Sequence, residues 1–176
     1  MSEVHREDHR MTRVDIATGV PFDEFVTALE KAAPPFNPEP VHRIAADGGN
    51  WDDVRHVVAE NAPHDLMVYA KIDATPLFSL AGHRVPAAEY LIGNHVIAET
   101  MFRHDPRALL YAPLRILVYG DADGNAVFTM DQPSAAFGSL GIPEVTKVGE
   151  GLDDKVSSLL RVAGVDASDV FGREVA

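Results

Sequence analysis

Residues 90–133, YLIGNHVIAETMFRHDPRALLYAPLRILVYGDADGNAVFTMDQP, carry the reading that decides the fold. Two β-rich runs, Leu114 to Tyr119 and Ala126 to Met130, flank the segment Gly-Asp-Ala-Asp-Gly-Asn. Turn-forming residues between two apolar runs predict an antiparallel hairpin. Before it, Ala88 to Ile92 reads as a strand. Gly93 and Asn94 then turn the chain into a helix over His95 to His104. A tight hairpin beside interspersed helices predicts an α+β fold with a mostly antiparallel sheet and helices packed on one face. A doubly wound parallel sheet is the less favoured arrangement.

Working outward, LMVYAKID (Leu66 to Asp73) is a further strand, followed by a short helix from Pro76 to Ala81 that ends at Gly82. Near the N-terminus, Met11 to Ala17 reads as a strand. A helix opens near Pro21, with Asp23 and Glu24 in its first turn and Phe22, Phe25, Val26 and Leu29 as its apolar stripe. Four prolines between Pro34 and Pro40 point to an extended connector. Asn50 has the character of an N-cap, with Asp53 three residues on and Trp51, Val54, Val57 and Val58 on one helical face. Asp153 to Ala163 is an amphipathic helix closed by Gly164. These elements predict a flexible arm over residues 1–10, one domain over 11–165 with its core in 66–163, and a tail over 166–176.

Composition narrows the classes of function. The chain has 176 residues, 46% of them hydrophobic, enough for a sizeable core. It carries 27 acidic against 15 basic residues, a net charge of −12, and no basic run. Such a surface repels phosphate, so neither nucleic acid nor a membrane is an expected partner. No stretch of about eighteen apolar residues occurs to cross a bilayer. There is no cysteine, which removes disulfides and thiolate chemistry. The opening MSEVHREDHR lacks the apolar stretch of a secretory signal, and a cytoplasmic location is expected.

The segment from residue 90 to 133 also resembles the domain-of-unknown-function 302 family. The shared features are a strand ending in Gly93-Asn94, a short helix, Asp105-Pro106, a strand led by Pro113-Leu114, the acidic hairpin from Asp121 to Gly124, and Pro133. The upstream strand ending at Asp73 is similar too. The resemblance covers about two-thirds of the chain and implies an α+β fold of the TATA-binding-protein-like group and a homodimer. It implies no established activity. Where the family usually has proline after Gly-Asn, this chain has His95.

Candidate site residues centre on that helix. His95, Glu99 and Arg103 recur every four residues and so share a stripe, opposite Ile97, Ala98, Met101 and Phe102. An imidazole beside a carboxylate suits general acid–base chemistry, and a strand-end aspartate, Asp73, is a third catalytic candidate. The bland alternative is a solvated Glu99–Arg103 ion pair, with Asp73 capping a turn. With His95 and Glu99, one of His83, His104 or Asp73 would complete a metal set, but His-x-x-x-Glu alone lacks the three or four ligands zinc needs. The hairpin aspartates fail as a calcium loop, with Ala126 and Gln132 where glycine and glutamate are required. No nucleotide-binding glycine motif is present. Neither a metal nor a cofactor is expected. Tyr90, Tyr111 and Tyr119, with Asn94 and Arg103, are the candidates to line a ligand pocket, since a tyrosine joins an apolar ring to a hydroxyl. The favoured reading is a domain that takes a small organic molecule between sheet and helices. The alternatives are a cofactor-free isomerase, cyclase or lyase using His95 and Glu99, and a ligand-free structural or regulatory dimer.

Overall fold

The computed structural model describes residues 2–171. Alternating apolar residues build five strands: β1 (Arg13–Pro21), β2 (Met67–Asp73), β3 (Ala87–Gly93), β4 (Leu114–Gly120) and β5 (Asn125–Asp131). They form one sheet in the order β1-β5-β4-β3-β2, every neighbouring pair antiparallel. The expected hairpin joins β4 to β5. Gly124 supplies its positive φ of 83°, and the Asp121 carboxylate accepts from the amides of Asp123 and Asn125.

Register puts Tyr90, Ile116 and Met130 in one row and Ala88, Val118 and Phe128 in the next. All six are buried, joined from β1 by Val14 and Ile16. Two helices pack among them, α1 (Phe22–Ala32) through Phe25 and Leu29, and the long C-terminal helix Pro143–Val162 through Val145, Leu152, Val156, Leu159 and Leu160. Phe25 meets Phe128 edge-on at 6.4 Å. The other face of the sheet carries Asp15, Arg115 and Leu117, all exposed. This is the α+β architecture expected from the hairpin and the helical stripes.

Several elements differ from the sequence expectation. The Pro-rich connector is extended only to Asn37, whose side chain accepts from the Glu39 amide and starts α2 (Pro38–Ala46). Pro38 occupies the first turn, where a missing N–H costs nothing. α3 (Trp51–Asn61) has the anticipated Asn50–Asp53 capping box. α4 (Thr75–Ser79) and α5 (His95–Phe102) follow β2 and β3. A 3-10 turn (Pro106–Leu110) and α6 (Pro133–Gly138) lie where no helix is expected. α7 (Pro143–Val162) is twenty residues long, starting ten before the predicted Asp153. Gly149 and Gly151 hide that first half, because glycine disfavours helix by about 1 kcal/mol. In the expected tail, Ala167 and Phe171 are buried in the core, and Ser157 donates to the Ala167 carbonyl at 3.2 Å. Residues 172–176 of that tail lie outside the described residues. Residues 2–10 are exposed and have no regular structure.

Gly149 faces α6 at close range. A β-carbon there would lie 2.9 Å from the Phe137 Cβ and 3.1 Å from the Pro133 carbonyl oxygen. Gly149→Ala gains roughly 1 kcal/mol of helix propensity but forces two packed helices apart, at a cost of about 1–3 kcal/mol. Urea denaturation is expected to show a net loss of stability. A more stable variant would contradict this packing.

Candidate functional site

The end of β3 fixes the start of α5. Asn94 is the N-cap: its Oδ1 accepts from the amides of Val96 at 2.8 Å and Ile97 at 3.3 Å, and its Nδ2 donates to the Asp65 carbonyl at 2.8 Å. The cap places His95 in the first helical turn. On the neighbouring strand, the β2–β3 register shifts between Val68 and Ala70, at Tyr69. The Tyr69 hydroxyl is hydrogen-bonded to His95 Nδ1.

Phe36 completes a cluster of three rings. Its centroid lies 5.1 Å from Tyr69 and 4.7 Å from His95, and those two are 4.9 Å apart, all tilted by 34–40°. Backbone bonds from Phe36 N to the Val68 carbonyl and from Val68 N to the Pro34 carbonyl hold this segment against β2. Asn61 adds two more, accepting from Asn37 N at 2.7 Å and donating to the Pro35 carbonyl at 3.0 Å.

Beside the rings is a cleft of about 440 Å³. The strand ends contribute Gly93, Pro113 and Leu114; α5 contributes Ala98, Met101 and Phe102. Leu109, Phe137 and Leu152 extend the apolar lining, and Trp51, 37% exposed, stands at its solvent edge. The polar groups among the lining side chains are few: Asn94, His95, Glu99, the Tyr69 hydroxyl and, at the solvent edge, the Trp51 indole N–H.

Protonation follows from burial. Desolvation pushes the Tyr69 phenol well above its ordinary range and lowers the His95 imidazole below its usual 6.5. At neutral pH the phenol therefore keeps its proton and the imidazole is uncharged. When Tyr69 Oη–H donates to the Nδ1 lone pair the ring hydrogen sits on Nε2, and when Nδ1–H donates to the phenol oxygen it sits on Nδ1.

The sequence-derived candidates separate into two groups. His95, Asn94 and Glu99 line the cleft. Glu99 is paired with Arg103, from Nε at 3.2 Å and from Nη2, while His95 is bonded to Tyr69, so His95 and Glu99 do not form a hydrogen-bonded couple. Asp73 stands at the far end of β2: it pairs with Ala88, whereas Met67 pairs with Gly93. Its carboxylate accepts from Thr75 N at 3.0 Å, and bonds to Thr75 lower its pKa. Tyr90 is wholly buried and donates to Glu30 Oε1 at 2.7 Å, the same oxygen that Lys71 reaches at 2.6 Å. Burial alone would raise Glu30, but the bonds from Lys71 and Tyr90 and the Lys71 charge outweigh it and hold the carboxyl low. Tyr111 accepts from Ser139 Oγ at 3.3 Å and packs edge-on to Phe137. Tyr119 pairs with Ala87 and Val127, away from the cleft. Among the described residues no three His, Asp or Glu side chains are grouped to hold a metal ion.

Three ring residues of the site escape the sequence reading. Phe36 falls in a proline-rich connector, Trp51 reads as an ordinary helix-face residue, and Tyr69 sits inside a strand. Tyr69 packs in one cluster with Met67, two residues before it, and the register shift between Val68 and Ala70 separates both from Lys71, which pairs with Tyr90; nothing in LMVYAKID announces that shift.

Comparison with known proteins supports the fold and stops short of an activity. The sequence profile of the domain of unknown function DUF302 matches residues 50–162. The crystal structure of an uncharacterized conserved DUF302 protein from Bacillus stearothermophilus aligns with a TM-score of 0.58, covering 87% of this chain and 97% of that one at 14% identity. No curated protein matches the chain.

The lowered pKa of His95 has a measurable consequence. Folding disfavours the imidazolium, so the unfolded chain binds more protons in the window between the folded value and 6.5. This contribution to stability is complete above that window, is lost as pH falls through it, and is constant below. An NMR titration should place the His95 midpoint below 6.5, and His95→Gln should flatten that part of the stability profile. A midpoint at or above the ordinary value would contradict the buried geometry.

Proposed function

The chain belongs to the DUF302 family, and we propose that its cleft binds a small, apolar organic molecule where the ends of β3 and β4 meet α5. The observation that carries this is the cleft itself, whose volume of about 440 Å³ falls within the roughly 300–1,000 Å³ common for ligand sites. Its lining is aromatic and aliphatic around a few polar atoms, the composition by which proteins orient small molecules without strong charge. Rings supply much contact area at low entropic cost.

The acid–base reading draws less support. It needs a carboxylate to orient the imidazole, and the neighbouring carboxylate is held by Arg103. A phenol with a raised pKa fixes the ring's orientation but is a poor acceptor for a catalytic proton. Binding requires only the arrangement already present.

Trp51 is the sole tryptophan and lies on the cleft, so it reports occupancy directly. Titration with the neutral probe N-phenyl-1-naphthylamine is expected to quench Trp51 emission saturably, with energy transfer to the probe. Ala98→Phe keeps α5 helical but fills the cleft, and should weaken the probe by about tenfold or more. Linear, unsaturable quenching, or binding untouched by Ala98→Phe, would count against the proposal.

A further inference from the structure

Apart from the Trp51 indole at the solvent edge, four polar side chains line the cleft, and three are committed to the protein. The Asn94 oxygen caps α5 and its amide nitrogen bonds the Asp65 carbonyl. Glu99 is held by Arg103. The Tyr69 hydroxyl is spent on His95 Nδ1. His95 Nε2 is what remains: among the described residues it has no protein partner, and no side-chain nitrogen or oxygen is buried without one, so this atom is open to a ligand.

The direction of the Tyr69 bond sets the chemistry of that atom. With Nδ1 accepting from the phenol, neutral His95 presents Nε2 as an N–H donor. A donor amid rings selects a ligand that offers an acceptor. The acceptor is uncharged, because Glu99 lies on the cleft wall, its partner Arg103 is already neutralised, and the whole chain carries −12. The ligand is flat, because the cleft is lined by the rings of Phe36, Trp51, Tyr69, His95, Phe102 and Phe137 beside aliphatic side chains.

We propose that the cleft selects a flat, uncharged aromatic or conjugated molecule whose carbonyl oxygen accepts a hydrogen bond from His95 Nε2, with Tyr69 as the positioning residue that fixes the donor. This rests on the reading of the cleft as a small-molecule site and adds the class of molecule it takes.

The test compares molecules of nearly one shape, read by Trp51 quenching. Wild-type protein is expected to bind 2-acetylnaphthalene about fivefold more tightly than 2-ethylnaphthalene, the worth of one neutral hydrogen bond. 2-Naphthoate should bind more weakly than the ketone. His95→Phe keeps a ring in place and should bind the two neutral probes equally. Tyr69→Phe frees the ring to place its hydrogen on Nδ1, and should bring the affinities for ketone and ethyl probe closer together. Equal binding of the neutral probes by wild-type protein, tighter binding of the naphthoate, or a preference that survives His95→Phe would overturn the proposal. So would N-phenyl-1-naphthylamine binding without either naphthalene. If none of these probes binds, the cleft reading itself fails and this one with it; the wild-type comparison needs no variant to fold.

Discussion

Tyr69 and Pro113 both pack into the space that a side chain at Gly93 would fill. A β-carbon there would lie 3.3 Å from Tyr69 Cε2 and 3.5 Å from Pro113 Cα and Cβ. The bare backbone lets Tyr69 lie over the end of β3 within reach of the first turn of α5. The next residue, Asn94, then does two jobs at once, capping α5 and holding the Asp65 carbonyl. Asp65 has the positive φ of 68° that a short polar side chain tolerates, and its carboxylate meets Lys155 of α7 at 2.9 Å. One turn therefore joins β3, the loop before β2, α5 and α7, and the position of His95 follows from it.

The energetic consequence is a site built on rigid elements. His95 stands on a capped helix, Tyr69 on a bulged strand, and Phe36 on a segment pinned by four hydrogen bonds, two from its own backbone neighbours and two from Asn61. Such support keeps the rings in place before any ligand arrives, which lowers the ordering cost of binding. The polar cluster of Glu30, Lys71 and Tyr90 does different work. Tyr90 is wholly buried in the core, and its hydroxyl reaches the sheet margin to meet a carboxylate shared with Lys71. It satisfies a buried phenol and stands apart from the cleft.

Much of this is legible in the chain, and the failures have physical causes. Apolar runs mark β3, β4 and β5, and Gly-Asp-Ala-Asp-Gly-Asn marks the hairpin between β4 and β5, because those signals are local. The Asn50 and Asn94 caps are equally local, and the helix at His95 follows from the second. What alternation cannot show is a bulge, so Tyr69 reads as a face residue when it is the partner of His95. Spacing on a helix placed His95, Glu99 and Arg103 on one stripe, which the Glu99–Arg103 pair obeys. It could not show that the imidazole would turn instead to another strand. Pro38 and Gly149 both hide helix, the one by starting α2 and the other by lying inside α7 where it lets α6 pack close.

Which nitrogen of His95 carries the hydrogen decides what the cleft can recognise. Long-range ¹H–¹⁵N correlation spectroscopy on uniformly labelled protein above pH 7 reads this directly, with His95→Gln used to assign the signal. The bond from Tyr69 predicts a protonated Nε2 and an unprotonated, hydrogen-bonded Nδ1. A ring protonated on Nδ1, or one exchanging freely between the two forms, would contradict it.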